Sequence, residues 1–413
     1  QMTYATTAPF IGYLQSVALD PLGINAVTQF AYDVFGNVIQ ITDPNARATR
    51  FAYNPLGWLI ITTNPLGRIT KYTYDANGNV LTEQRQSDAA ATLFQTTTYT
   101  YDLLNNVKTV KDPLNQITTL VYDANDNLIT KVDAVPNTTS YLYDERNLLF
   151  KTTDANLGVT QYDYDRNGQL SAVTDAKANK TTYLYDGFNR KIRTTYPNTT
   201  VLESYAYDKN SNVIQEITPN NQVINYVYDG LNRLTNQTYA DTTMNVTRTY
   251  DIGSRLTRVV NSFSDTRYAY DKLDRVLTDQ QILGTLSFIV RSAYDKAGNR
   301  ISVTYPSGKI AGYTYNALNQ VTAVTVNGIA LANYAFDPLN RLTTKNLLGG
   351  PAKSAVFGYD AADQLLSLEN KTTALISKHT YLYDKAGNRL RHDNQAGTAA
   401  VKTLNFVYNK IYE

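Results

Sequence analysis

The chain has 413 residues, with 38 Lys and Arg against 36 Asp and Glu, a formal net charge of +2. That balance supplies no general pull toward nucleic acid or an anionic membrane surface, and no apolar run approaches the length of a helical membrane span. Zero cysteines exclude disulfides, thiol nucleophiles and most zinc-site designs, without fixing the compartment.

Along the chain a tyrosine returns about every 21 residues, usually followed by aspartate. The series runs Tyr32, Tyr53, Tyr74, Tyr101, Tyr122, Tyr143, Tyr164, Tyr185, Tyr207, Tyr228, Tyr250, Tyr270, Tyr294, Tyr315, Phe336, Tyr359, Tyr383 and Tyr408. A fixed period of this size means one supersecondary unit copied along an array. The longer steps, from Tyr74 to Tyr101, from Tyr270 to Tyr294 and the last three, mark insertions. The stretches 83–96, 280–291, 345–356, 369–378 and 391–402 are read as longer loops or extended hairpins at a corner.

Within one unit the elements follow from residue type. Tyr72 and Tyr74 are two apart, so in a strand they share a face; threonine and other β-formers around them predict a first strand. Four residues after each member of the series from Tyr32 to Tyr383 only Gly, Asn, Asp or Ser occurs, from Gly36 and Gly57 to Asp363 and Gly387. Gly, Asn and Asp tolerate the left-handed backbone that a type I turn closed by a bulge requires. The Asp after the tyrosine is placed to accept hydrogen bonds from the turn's own amides. Two residues on, Val38, Leu59, Val80 and their counterparts open a return strand. A second corner such as Thr42-Asp43-Pro44 or Lys111-Asp112-Pro113 ends it, because proline fixes φ and cannot continue the ladder. Each repeat is two strands and two turns, with no helical pattern. About 36 strands spaced roughly 4.8 Å apart would span roughly 170 Å if flat; twist makes such a ribbon wind. With 34 tyrosines against 12 phenylalanines and one tryptophan, stacked rings are expected to form ladders across neighbouring strands.

The string Tyr-x-Tyr-Asp-x-x-Gly-Asn-Leu/Val, followed by Asp-Pro-x-Gly corners, resembles the YD repeat of Rhs-type bacterial proteins. The same repeat occurs in the B and C subunits of Tc toxin complexes, in wall-associated proteins and in teneurins. The resemblance covers about 18 units, nearly all of residues 1–413. It implies an all-β fold, one continuous spiralling sheet, shell- or barrel-like, in a single array that is a segment of a larger protein. By the same resemblance the array is a non-enzymatic wall around a hollow that holds a toxin polypeptide, secreted or at a bacterial cell surface. Its partners would be the rest of a larger shell or toxin polypeptide, or further copies joined end to end. The rival readings are a surface adhesion module that takes glycans on exposed tyrosines, and a self-assembling fibre. Gln1 is not an initiator and no cap is visible at either end, which favours a segment or ends covered by other copies.

Residues that could carry chemistry have structural explanations. The recurring Asp of each Tyr-Asp pair is expected to cap its turn. Asp75-x-Asn77-x-Asn79 and Asp123-x-Asn125-x-Asn127 open like an EF-hand loop, but Val80 or Leu128 stands where its glycine belongs and Gln86 or Ala134 where its bidentate acid belongs. His379 and His392 are read as solvated residues of late loops or strand ends. Arg190, Arg233, Arg275, Arg300, Arg341 and Arg389 form a basic stripe, expected to pair across strands with nearby acids. No nucleophile elbow or phosphate loop occurs, so no catalytic, cofactor or metal residue is assigned. Full-length Rhs and Tc C proteins close their shell with an aspartyl self-cleavage core. That motif is absent, and Asp20-Pro21-Leu22-Gly23 reads as an ordinary corner.

Overall fold

The computed structural model describes residues 1–7, 9–197, 202–351 and 353–412. Over these the chain is all-β: 37 antiparallel strands in one sheet, with one 3₁₀ turn at Thr242–Met244. Strands that follow one another in sequence pair with one another. Ala48–Tyr53 runs antiparallel to Leu59–Thr63, with Phe51 opposite Thr62 and Tyr53 opposite Leu59. Leu59–Thr63 then pairs with Ile69–Tyr74, the first strand of the next repeat.

The first corner closes as its residue types require. All eighteen residues four past a repeat aromatic have positive φ, from Gly36 at 89° and Asn105 at 69° to Gly387 at 88° and Tyr412 at 66°. The register slips by one residue just before the tyrosine, between Ala52 and Tyr53 for instance, the mark of a bulge after a left-handed residue. The second corner repeats the same device: Gly67 donates to the Asn64 carbonyl at 2.8 Å and Asn64 to that of Arg68 at 2.9 Å. Ala46, Gly67, Asn115, Leu157, Ala178 and Asn221 are its left-handed residues. Proline here fills the second turn position, which its fixed φ suits. The corner at Asp20 departs from this pattern: its carboxylate accepts from Ile24 N, and Asp20 and Asn25 both have positive φ.

The insertions are extended hairpins in two clear cases. Val276–Leu283 and Leu286–Tyr294 stay paired down to Leu283 opposite Leu286, and Leu365–Lys371 stays paired with Leu375–Tyr383 down to Lys371 opposite Leu375.

Only seven hydrophobic side chains are buried among the described residues, five of them alanines. The sheet therefore carries a half-buried tyrosine layer and no packed two-layer core. The chain divides into two compact units. Unit 1 comprises Gln1–Val121, Lys131–Asn137 and Ser292–Glu413; unit 2 comprises Tyr122–Thr130 and Thr138–Arg291. Unit 2 is a run of consecutive repeats. Unit 1 joins early repeats to late ones: Asn45 donates to Asp295 at 2.9 Å, Arg47 bonds Asn319, and Arg85 pairs with Asp363 at 2.7 Å. In each case a second-corner region of an early repeat meets the first-corner turn of a late one.

Candidate functional site

The repeat tyrosines do one job at most positions. Their hydroxyl donates to the carbonyl of the residue that opens the preceding return strand. Tyr32 reaches Leu14, Tyr53 Val38, Tyr74 Leu59, Tyr101 Val80, Tyr143 Leu128, Tyr164 Leu149 and Tyr185 Leu170. Tyr207, Tyr228, Tyr250, Tyr270, Tyr315, Tyr359 and Tyr383 reach Lys191, Val213, Leu234, Leu256, Arg300, Leu342 and Leu365. The distances lie between 2.6 and 3.1 Å. The reason lies in the ladder. Pairing between repeats ends at Ile61 opposite Lys71, short of Leu59, so the Leu59 carbonyl needs another donor. Phe336 closes the series' strand Ile329–Phe336 without a hydroxyl, and Tyr408 lies beyond the last strand, Lys402–Asn405.

This differs from the expected ring ladder. Among the described residues the ring contacts involving tyrosine are Phe10–Tyr13, Tyr13–Tyr32, Trp58–Tyr74 and Tyr381–His392. Equivalent tyrosines are two strands apart, about 9.5 Å, beyond ring-contact range. A phenol spans that gap by its hydroxyl. Burial raises the pKa of many of these phenols, Tyr74, Tyr143, Tyr164 and Tyr185 among them.

The turn aspartates are fully used. Asp75 accepts at one oxygen from the Asn77 and Asn79 amides, both at 2.9 Å, and at the other from the Asn79 side chain. These bonds, the Asn79 side chain first, lower its pKa. The EF-hand resemblance at Asp75 and Asp123 thus ends in turn capping.

The residue four past the Asp ties neighbouring turns together. Where it is Asn, its amide reaches the next repeat's left-handed residue, as from Asn79 to Asn105 at 2.7 Å and from Asn212 to Asn232 at 2.9 Å. Where it is Arg, it clamps more firmly. Arg233 pairs with Asp229 at 2.7 Å, donates to the Asp251 carbonyl at 3.0 Å and covers the Tyr250 ring at 4.8 Å. Arg190 and Arg341 repeat this with Asp186 and Tyr207, and with Asp337 and Tyr359; Arg275 pairs with Asp271. Arg190, Arg233, Arg275 and Arg341 therefore pair first inside their own turn, because four residues in a bulged turn bring the guanidinium back onto the capping Asp, and Arg341 also makes the expected pairing with an acid of the neighbouring repeat, Asp363 at 2.9 Å. Arg255 belongs to the same set, and its spacing from Asp251 could have found it. Arg300 and Arg389, one residue later, lie over Tyr313 and Tyr381.

His379 and His392 lie in paired strands, contrary to the loop expectation. Tyr381 stands opposite His392 and Asn394 opposite His379. This brings His379 Nδ1 within 3.0 Å of His392 Nε2, with Tyr381 stacked on His392. Burial, His379 and Arg389 lower the His392 pKa, against an opposing pull from Asp393. One imidazole donates this hydrogen bond to the other, in a direction that the tautomer sets. Among the described residues no group of three or more His, Cys, Asp or Glu could hold a metal ion.

Two polar cavities lie where early corners meet late turns in unit 1. One of about 520 Å³ is lined by Lys111, Asp112, Pro113, Arg341, Tyr359 and Asp360; one of about 470 Å³ shares Asp112 and Pro113 and adds Lys131, Asp133, Lys385 and Tyr412. Tyr412 closes the far end of the seam, bonding Asp133 and accepting from Asn137 at 2.9 Å.

The Teneurin YD-shell family matches residues 39–202, and the RHS repeat matches 207–244 and 294–330. The chain belongs to the YD-repeat, or RHS-repeat, family. No curated protein matches it significantly. Among solved structures this YD-repeat chain is similar to the Photorhabdus luminescens Tc holotoxin pore with a mutant TccC3, at TM-score 0.72 and 15% identity over 100% of this chain and 23% of that one. A TcdB2–TccC3–Cdc42 structure matches at TM-score 0.61 and 14% identity, over 97% and 26%. TcdB2–TccC3 without its hypervariable C-terminal region matches at 0.58 and 15%, over 93% and 22%. At these identities the likeness establishes the fold, and the chain spans about a quarter of each solved chain. No helix of the described residues is long and apolar enough to cross a membrane.

Proposed function

We propose that this YD-repeat array is a non-catalytic stretch of wall in a hollow β-shell that encloses a toxin polypeptide, secreted or displayed at a bacterial surface. The observation that carries the reading is the fold match along the full chain to Tc toxin shell chains. The local chemistry supports it: tyrosines, turn asparagines and arginines join one repeat to the next, as a wall requires. Its partners would be the remaining shell and the enclosed polypeptide. The adhesion reading, with glycans on exposed tyrosines, has less support, because most repeat phenols already donate to a backbone carbonyl. Single-particle electron microscopy at nanomolar dilution, where particles are single chains, tests the wall. A curved sheet with a solvent-filled concavity is expected; a straight ribbon would overturn the reading.

A further inference from the structure

The sheet has two long turn edges, and inside unit 1 they recognise each other. The second-corner regions at Asn45, Arg47, Arg85 and Asp133 meet, in sequence order, the late segment at Asp295, Asn319, Asp363 and Tyr412. Both edges are built from the same bulged turn and share the repeat spacing, about 9.5 Å for two strands. Contacts made at one repeat can therefore recur at the next.

The position three past the repeat tyrosine is the tip of the first-corner turn. In the late repeats of unit 1 that meet the early corners, Leu318 and Leu339 hold this position and are half-buried. In the early repeats of the same unit it is held by Phe35, Leu56 and Leu104, which are 82%, 68% and 60% exposed. The second-corner edge shows the complementary difference. The tip residues Asn45, Leu114 and Val135 of unit 1 are half-buried and Leu66 is 42% exposed, whereas Asn156, Lys177 and Asn220 of unit 2 are all exposed. Beside Asn156, Leu157 is 81% exposed.

We propose that the early first-corner edge, with Phe35, Leu56 and Leu104, is a docking surface for a second copy of this chain, which presents its free second-corner edge around Leu157. The occupant follows from the molecule itself: unit 1 already shows this edge type meeting this partner edge, and each copy carries free stretches of both, the first-corner one continuing to Phe188 and Leu231. Scattered apolar side chains at a surface mean little, but here the bare tips Phe35, Leu56 and Leu104 belong to the same edge type that is half-buried at Leu318 and Leu339. The contact is heterologous, joining two different edges, so it passes from copy to copy into a ring or an open series. It goes beyond the wall reading and does not depend on what the wall encloses.

Sedimentation velocity of the full chain between about 1 and 100 µM tests this. The weight-average sedimentation coefficient is expected to rise with concentration. Two variants break one edge each: F35N/L56N/L104N, with Asn as at Asn77 and Asn125 of other repeats, and L157N, with Asn as at Asn115 and Asn221. Each is expected to weaken association at least roughly tenfold while melting as the wild type does. Mixed one to one, they should form a dimer through the one intact edge on each. A wild type that stays monomeric throughout, association unchanged by either variant, or a mixture that fails to pair would overturn the proposal. Should the triple variant melt early, L56N alone, at a position with no side-chain bond, serves as the tip-edge variant.

Discussion

At the residue scale the repeat tyrosine does two things that separate under mutation. Its ring is half-buried against the turn residue of the preceding repeat, and its hydroxyl satisfies a carbonyl the ladder leaves open. Tyr164→Phe is expected to cost about 1 kcal/mol, the net worth of one such bond. Tyr164→Ala should cost about 2–3 kcal/mol, less than a fully buried ring because this one is half-buried. Hydrogen exchange of the strands Leu149–Thr153 and Val159–Tyr164 reads both; exchange unchanged in either variant would refute the tyrosine link. Backbone strain gives the opposite sign. Ala178 is left-handed, with φ at 64°, a conformation that opposes a Cβ. Ala178→Gly is expected to stabilise by about 0.5–1 kcal/mol despite glycine's greater freedom when unfolded, measurable as a raised urea midpoint. The tyrosine period and the left-handed positions of the first corner were legible because each rests on local geometry; those of the second corner were not, since Ala46, Leu157 and Ala178 are not residue types that mark such a backbone. The hydroxyl's acceptor was not, since it depends on where pairing to the previous repeat stops.

At the element scale the turns set the pH limits. Turn carboxylates such as Asp75, Asp208 and Asp229 have pKa values lowered by side-chain and backbone donors. Their stabilisation is present above the ordinary carboxylate pKa of 3.8 and is lost as pH falls below it. The phenols run the other way: raised by burial from 10.0, they stabilise below that value and lose it as pH rises beyond it. His392 is a base with a lowered pKa, so its contribution weakens as pH falls below 6.5. Urea midpoints should therefore be flat from about pH 7 to 9 and fall near pH 4 and above pH 10, as linkage requires. A smaller loss below about pH 6.5 should be confined to exchange in Leu375–Tyr383 and Arg389–Ala396. His392→Asn should remove that step alone. That these histidines meet at all was invisible to spacing, because 13 residues separate them around an extended hairpin whose register only pairing sets.

At the scale of the whole molecule, the unit 1 seam joins repeats roughly 250 to 280 residues apart through side chains. The Arg85–Asp363 pair is more than a third exposed on both sides, so its worth is at most about 1 kcal/mol. Asp363→Asn, which removes the charge and keeps a residue that tolerates the left-handed backbone, should leave global melting nearly unchanged while raising exchange around residues 85–95 and 360–364, with the difference fading in high salt. Equal exchange in mutant and wild type would mean the seam is held by other contacts. The sequence by itself determined the repeat, both turn types and the all-β sheet, because those follow from interactions within about 21 residues. Only the tertiary structure decided that tyrosines bond by hydroxyl, that arginines clamp their own turns, that the histidines pair, and which turn tips are covered. Each of these depends on how far neighbouring strands stay in register or on which distant turn lies alongside, and a local pattern of residue types carries neither.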